Sequence, residues 1–141
     1  MNFIEFKKWQ LADQPSLRHQ FEKWLELQSD EPEVWNSCTL QATGIELLLR
    51  NQTNDIRQSC LTIATVRLNE ELQNKGIFKS LLNYLVQNSP WETIAIEDIN
   101  NPILLNFCKK HGFEKISSMY PTSLRISKSN LKSFPVAEFS F

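Results

Sequence analysis

Gly76 is one of only three glycines in the chain, and it stands in the run Gln73-Asn74-Lys75-Gly76-Ile77-Phe78-Lys79, between a β-branched segment and an apolar segment of helical period. A strand feeding a helix through such a turn aims the first unpaired amides of that helix, from Gln73 to Phe78, past the strand's C-terminal edge. Those amides and the helix dipole suit an anion, most often a phosphate. Lys75 and Lys79 would add positive charge on either side. The same residues also make an ordinary helix cap with two solvated lysines, and the turn alone favours neither reading. It is not a P-loop, because Lys75 precedes Gly76 and no second glycine stands upstream, and it is not a dinucleotide fingerprint, because Gly76 stands alone.

The elements that must position this turn follow from periodicity. Leu17, Phe21, Trp24 and Leu25 recur at helical spacing and predict a helix over Pro15–Gln28, preceded by a strand over Phe3–Trp9; residues 32–40 read ambiguously, with a short helix near Val34 and Trp35. Ile45–Arg50, the turn-rich Asn51–Asp55 and Ile56–Leu68 predict an antiparallel hairpin. Phe78, Leu81, Leu82, Leu85 and Val86 predict a helix ending near Asn88, before Pro90. Thr93–Ile99 reads as a buried strand, Pro102 opens a second helix and Gly112 closes it. Short strands over Glu114–Ser117, Leu124–Ser127 and Val136–Phe141 complete the chain. This order makes an α/β (α+β) fold, with a mixed sheet in which strands 61–68 and 93–99 are parallel neighbours joined by a helical crossover.

Composition bounds the rest. At 141 residues and 41% hydrophobic content the chain suits a single domain spanning 1–141 with its own core. Cys38, Cys60 and Cys108 are odd in number and widely spaced, which argues against a disulfide framework and against a metal site, and fits a reducing, cytoplasmic home. No segment approaches the roughly 20 apolar residues of a membrane helix. The net charge of −1 supplies no field for nucleic acid, so neither nucleic acid nor membrane is expected as a partner.

Gln73-Asn74-Lys75-Gly76-Ile77-Phe78 resembles the (Q/R)-x-x-G-x-(G/A) signature of the GNAT superfamily, the acyl-CoA-dependent N-acyltransferases, with Phe78 in place of the final small residue. Asn101-Pro102-Ile103-Leu104-Leu105-Asn106-Phe107-Cys108-Lys109-Lys110-His111-Gly112-Phe113 is similar to that family's second signature, a helix opened by asparagine and closed by Gly-Phe. The resemblance covers about residues 60–117. It implies a central, mostly antiparallel sheet with two parallel splayed strands flanked by helices. It also implies acetyl-CoA as co-substrate: pyrophosphate on the amides of Gln73, Asn74, Lys75, Gly76, Ile77 and Phe78 with Lys79 beside them, pantetheine along Val66 and Leu68, and Asn101 nearby.

The implied reaction is direct attack of a primary amine on the thioester, with a backbone amide of strand 61–68 facing the oxyanion. That strand carries no carboxylate, so Glu97, near the end of the neighbouring strand, is the best substitute as general base, acting through a water, against the more ordinary role of an exposed or salt-bridged carboxylate at a strand end; Asp98 is expected on the opposite face. Cys108 stands where many members have a catalytic tyrosine. It offers a thiol as acid, against the more ordinary role of a small core residue. Tyr84 and Tyr120 are further hydroxyls for the substrate side, and His111 reads as a helix C-terminal residue. The alternative function is a GNAT-fold protein with weak or no turnover that binds acyl-CoA or a protein partner as a regulator. The chain is expected to be a monomer, or a homodimer paired through Val136–Phe141.

Overall fold

The computed structural model describes residues 1–53, 59–138 and 140. In chain order its elements are α1 (Phe3–Asp13), α2 (Leu17–Asp30), β1 (Ser37–Ala42), β2 (Ile45–Thr53), β3 (Ser59–Leu68), α3 (Ile77–Asn88), β4 (Thr93–Ile96), α4 (Pro102–Lys110), β5 (Glu114–Ser117) and β6 (Tyr120–Ser127). Among the described residues the strands form one six-stranded mixed sheet, ordered β1-β2-β3-β4-β6-β5. Only β3 and β4 pair in parallel, as the α3 crossover between them requires. The remaining pairs are antiparallel.

The first element is a helix, not the expected strand. Asn2 caps α1 by accepting the Glu5 amide at 2.8 Å, with Glu5 itself in the first turn. This Asn-x-x-Glu spacing is a helix-start signal. Phe6 and Gln10, four apart, are buried on one face, with Trp9 half-buried beside them. In α2, Ser16 caps by accepting the His19 amide at 3.1 Å, and Leu17, Gln20, Phe21 and Trp24 form the buried stripe. Aromatic contacts tie α2 to the crossover unit: Phe21 meets Tyr84 of α3 edge-on at 5.8 Å, and Trp24 lies 5.8 Å from Trp91.

Other boundaries also move. Residues 32–34 form a turn, not a short helix, and Trp35 is buried just before β1. Asn51, Gln52 and Thr53 extend β2 instead of turning; the rest of the expected turn and the start of its second arm, 54–58, lie outside the described residues. Residues 136–138 form no strand, and Ser80 Oγ donates to the Ala137 carbonyl at 2.7 Å, so this segment packs against α3. Phe139 and Phe141, the remainder of that expected strand apart from Ser140, lie outside the described residues.

Two irregularities shape the sheet around the crossover. Leu48 pairs with Thr65 and Leu49 with Ile63, leaving Ala64 as the extra residue of a bulge in β3. The β3–β4 ladder stops after four pairs, from Cys60–Thr93 to Ile63–Ile96, closed by the Glu97 amide donating to Ile63 O at 3.0 Å. The chain then leans towards β6, where Ile99 N–H donates to Thr122 O at 2.9 Å. β3 continues to Leu68 with no β4 residue beside it, so a cleft opens between the two strands.

Candidate functional site

The turn expected at Gly76 forms as the N-terminus of α3. Gly76 is the N-cap residue at φ +76°, a left-handed conformation that glycine adopts without steric penalty. A side chain there would find room, its Cβ only 3.4 Å from Ala137 Cβ, so backbone conformation and not crowding explains the glycine. Asn74 is also left-handed, at φ +62°. Gly76 has no side chain with which to cap this helix end, and among the described residues its first amides are left for water or a ligand. Gln73 braces the turn by donating from Nε2 to Leu68 O at 3.0 Å.

A cavity of about 350 Å³ lies against this helix end, walled by Val66 and Leu68 from β3, by Gln73, Asn74, Gly76, Ile77, Phe78 and Lys79 from the turn, and by Asn101, Ile103, Leu104 and Phe107 from α4. A second cavity of about 440 Å³ occupies the opening between β3 and β4, reaching from Ile63–Arg67 on one side to Ile96–Asn101 on the other. Val66, Phe78, Asn101 and Leu104 belong to both, so the two form successive parts of one groove. The groove floor carries main-chain groups. Asn69 N–H donates to Gly44 O at 2.8 Å, and from that pair the antiparallel alternation makes Glu46–Arg67 and Leu48–Thr65 the hydrogen-bonded partners. Val66 and Leu68 therefore turn their amides and carbonyls away from β2, towards the groove.

The structure brings most of the sequence-expected site residues together. Val66, Leu68, Gln73, Asn74, Gly76, Ile77, Phe78, Lys79 and Asn101 all line the cavity at the helix end. Lys75 is exposed beside the turn and lines neither cavity. Lys79 extends its ammonium over the Phe107 ring, 4.7 Å from the centroid, a cation–π contact that holds the charge at the groove's edge. Asn101 is occupied as the α4 cap, its Oδ1 accepting from Ile103 N–H at 2.8 Å and Leu104 N–H at 3.4 Å. Phe78 is half-buried against the core and forms a shared wall between the two cavities.

Glu97 lines the cleft, and its Oε1 lies 3.5 Å from Arg50 Nη1 on β2. Asp98 does not take the opposite face. Strand β4 ends at Ile96 and Asp98 sits at φ +50°, which breaks the two-residue alternation. Its amide is held by Ser123 Oγ at 3.1 Å, and Asp98 lines the same cavity as Glu97. The sequence signal for this was the change from the apolar Thr93–Ile96 run to Asp98-Ile99-Asn100-Asn101, residue types that favour turns.

Cys108 sits elsewhere. It is fully buried on α4, lines neither cavity, and burial pushes its thiol pKa up to about 12. Tyr84 lines a separate hollow with Arg18 and Ser80, and burial, then the Glu22 carboxylate, raises its phenol above the usual range. Tyr120 is exposed at the start of β6 and lines neither cavity. His111 is the α4 C-cap residue, its amide donating to Phe107 O at 3.1 Å and its ring 4.4 Å from the Phe107 ring. No group of three or more metal-ligating side chains occurs among the described residues.

No family model and no curated protein matches the chain. Four chains of solved structures do. One, from the crystal structure of the KacTA–DNA complex, aligns with 60% of this chain and 58% of its own length, at 12% identity and a TM-score of 0.49. That likeness is too slight to bear on function.

Proposed function

We propose that this chain is a GNAT-type N-acetyltransferase that moves the acetyl group of acetyl-CoA to a primary amine by direct attack. The observation that carries the reading is the continuous groove from the uncapped N-terminus of α3 to the opening between β3 and β4. Its two ends match the two ends of an acyl-CoA. The amides around Gly76 and the helix dipole suit the pyrophosphate. The outward-turned amides of Val66 and Leu68 and the carbonyl of Val66 can pair with the amide groups of the pantetheine arm as a short added strand, the Leu68 carbonyl being held by Gln73 Nε2.

This arrangement leads the thioester into the cleft beside Glu97. A neutral amine nitrogen attacks the thioester carbonyl; the C–N bond forms, and a β3 amide stabilises the oxyanion. Collapse of the intermediate breaks the C–S bond, and the thiolate of CoA leaves and takes a proton from solvent. The proton lost from nitrogen passes to Glu97 through a water. Cys108 has no part in this scheme, because it is fully buried and lines neither cavity, and burial raises its thiol from the usual 9.0 to about 12, so transfer from it to the leaving thiolate is uphill. Release of free thiol from acetyl-CoA, followed across a panel of primary amines, tests the reading. Amine-dependent release that falls at least tenfold in Glu97→Gln is expected, and no release with any amine contradicts it.

One observation favours the second reading, a binder without turnover: Glu97 is engaged by Arg50 at 3.5 Å. A protein that binds acetyl-CoA tightly and releases no thiol would follow that reading.

A further inference from the structure

The charges around the cleft do not cancel. Arg67 lines it but pairs outward with Glu46, Nη1 to Oε2 at 3.4 Å. Glu97 lines it and is paired with Arg50. Asp98 lines it too, exposed, with no side-chain hydrogen bond or ion pair among the described residues. The cleft therefore presents one carboxylate without a paired cation, carried on a fixed backbone: the Asp98 amide is bonded to Ser123 Oγ, and the next residue, Ile99, is buried and bonded to Thr122 O. The far end of the groove has the opposite polarity, with helix amides and Lys79.

An uncompensated carboxylate at the cleft attracts a cation, yet the cation cannot be the attacking nitrogen. An ammonium resting on a carboxylate is held in its protonated form, and a protonated nitrogen has no lone pair to attack with. Building on the acetyltransferase reading, we propose that Asp98 selects acceptors that carry a second positive charge. The substrate class is then a diamine. Its distal ammonium rests on the Asp98 carboxylate, and its other nitrogen, neutral, attacks the thioester beside Glu97. The Ile63, Val66 and Ile96 side of the cavity accommodates the hydrocarbon spacer between the two nitrogens. Asp98 is thus a specificity-determining residue, while the chemistry stays with Glu97 and the β3 amide.

Two probes of equal length decide it, 1,4-diaminobutane and butylamine, each as acceptor with saturating acetyl-CoA. The wild type is expected to show a KM for the diamine roughly two- to fivefold below that for the monoamine, the size of one exposed charge pair, at similar kcat. Asp98→Asn should bring the two KM values together. Glu114→Gln, which changes a remote exposed carboxylate on β5, should keep them apart. Equal KM values in the wild type, or a preference that survives Asp98→Asn, overturn the proposal. So does a collapse of kcat in Asp98→Asn for both amines alike, which would make Asp98 part of the chemistry. If no amine releases thiol, the acetyltransferase reading fails separately, and calorimetric titration of 1,4-diaminobutane into the protein with CoA present still decides the inference. Binding that is lost in Asp98→Asn supports it, and no binding overturns it.

Discussion

Asp98 and Cys108 show how single side chains depart from what their neighbours in sequence imply. Strand alternation holds only while the strand lasts, and β4 ends two residues before Asp98, whose left-handed backbone returns it to the side of Glu97. Cys108 lies one helical position from Phe107, which lines the groove, yet the intervening 100° turn buries it completely. Burial holds both the Cys108 and the Cys38 thiols at about 12, against a usual value of 9.0. A pKa raised by folding gives stability that is complete below the unfolded-state value and is lost as pH rises towards the folded one. Stability should therefore fall above about pH 9, by up to about 1.4 kcal/mol per pH unit for each thiol, and less steeply in Cys38→Ala/Cys108→Ala measured by urea denaturation. Neither thiol should react with a thiol reagent in the native protein at pH 8. Glu92 behaves oppositely. The Ser127 hydroxyl, donating at 2.6 Å, and the Ser129 amide lower its carboxyl below the usual range. Its contribution is present above the ordinary carboxylate pKa and disappears as pH falls through the lowered value. Glu92→Gln should thus be less stable than wild type at pH 7 and match it in strong acid.

At the scale of elements, the crossover from β3 through α3 to β4 could be read from sequence. Its strand is β-branched, its helix keeps a strict apolar stripe, and Gly76 and Pro90 bracket the helix. The N-terminal helix is harder to read because its aromatic residues favour strands, although the three-residue spacing of Phe3, Phe6 and Trp9 and the Asn2 cap both point to a helix. A second feature could not be read at all, since it depends on tertiary contacts. Edge strand β1 is closed by side chains: Gln10 Nε2 donates to Thr39 O at 2.9 Å, while Gln20 donates to Gln41 O at 2.7 Å and accepts from the Gln41 amide at 2.9 Å. Gln10 and Gln20 are joined by a further bond at 2.9 Å, and Gln20 also donates to Pro15 O at 2.9 Å. Two buried glutamines thus stand where a neighbouring strand would pair, which blunts an exposed edge. Gln20→Leu would leave these partners unsatisfied inside the protein and should cost roughly 2–4 kcal/mol, read from the urea midpoint. Gly76→Ala should cost only about 1–2 kcal/mol, since it meets backbone strain without a clash.

Across the whole molecule, sheet order and strand pairing place the turn, the cleft and α4 along one groove, although the residues that line it span positions 63 to 107 in sequence. The mixed α/β architecture and the parallel pair were accessible from the order of apolar periods. The bulge at Ala64 and the short β4 were not, because both depend on how far neighbouring strands can stay in register. No helix among the described residues is long and apolar enough to cross a membrane. The central claim is that this groove holds an acyl-CoA, and thermal melting against increasing acetyl-CoA tests it most directly. At about 100 times the dissociation constant the ligand should add roughly 2.7 kcal/mol, a rise of about 2–8 °C, reproduced by CoA and abolished by excess salt more readily than by a neutral osmolyte. A melting temperature that stays fixed up to millimolar acetyl-CoA would contradict the account.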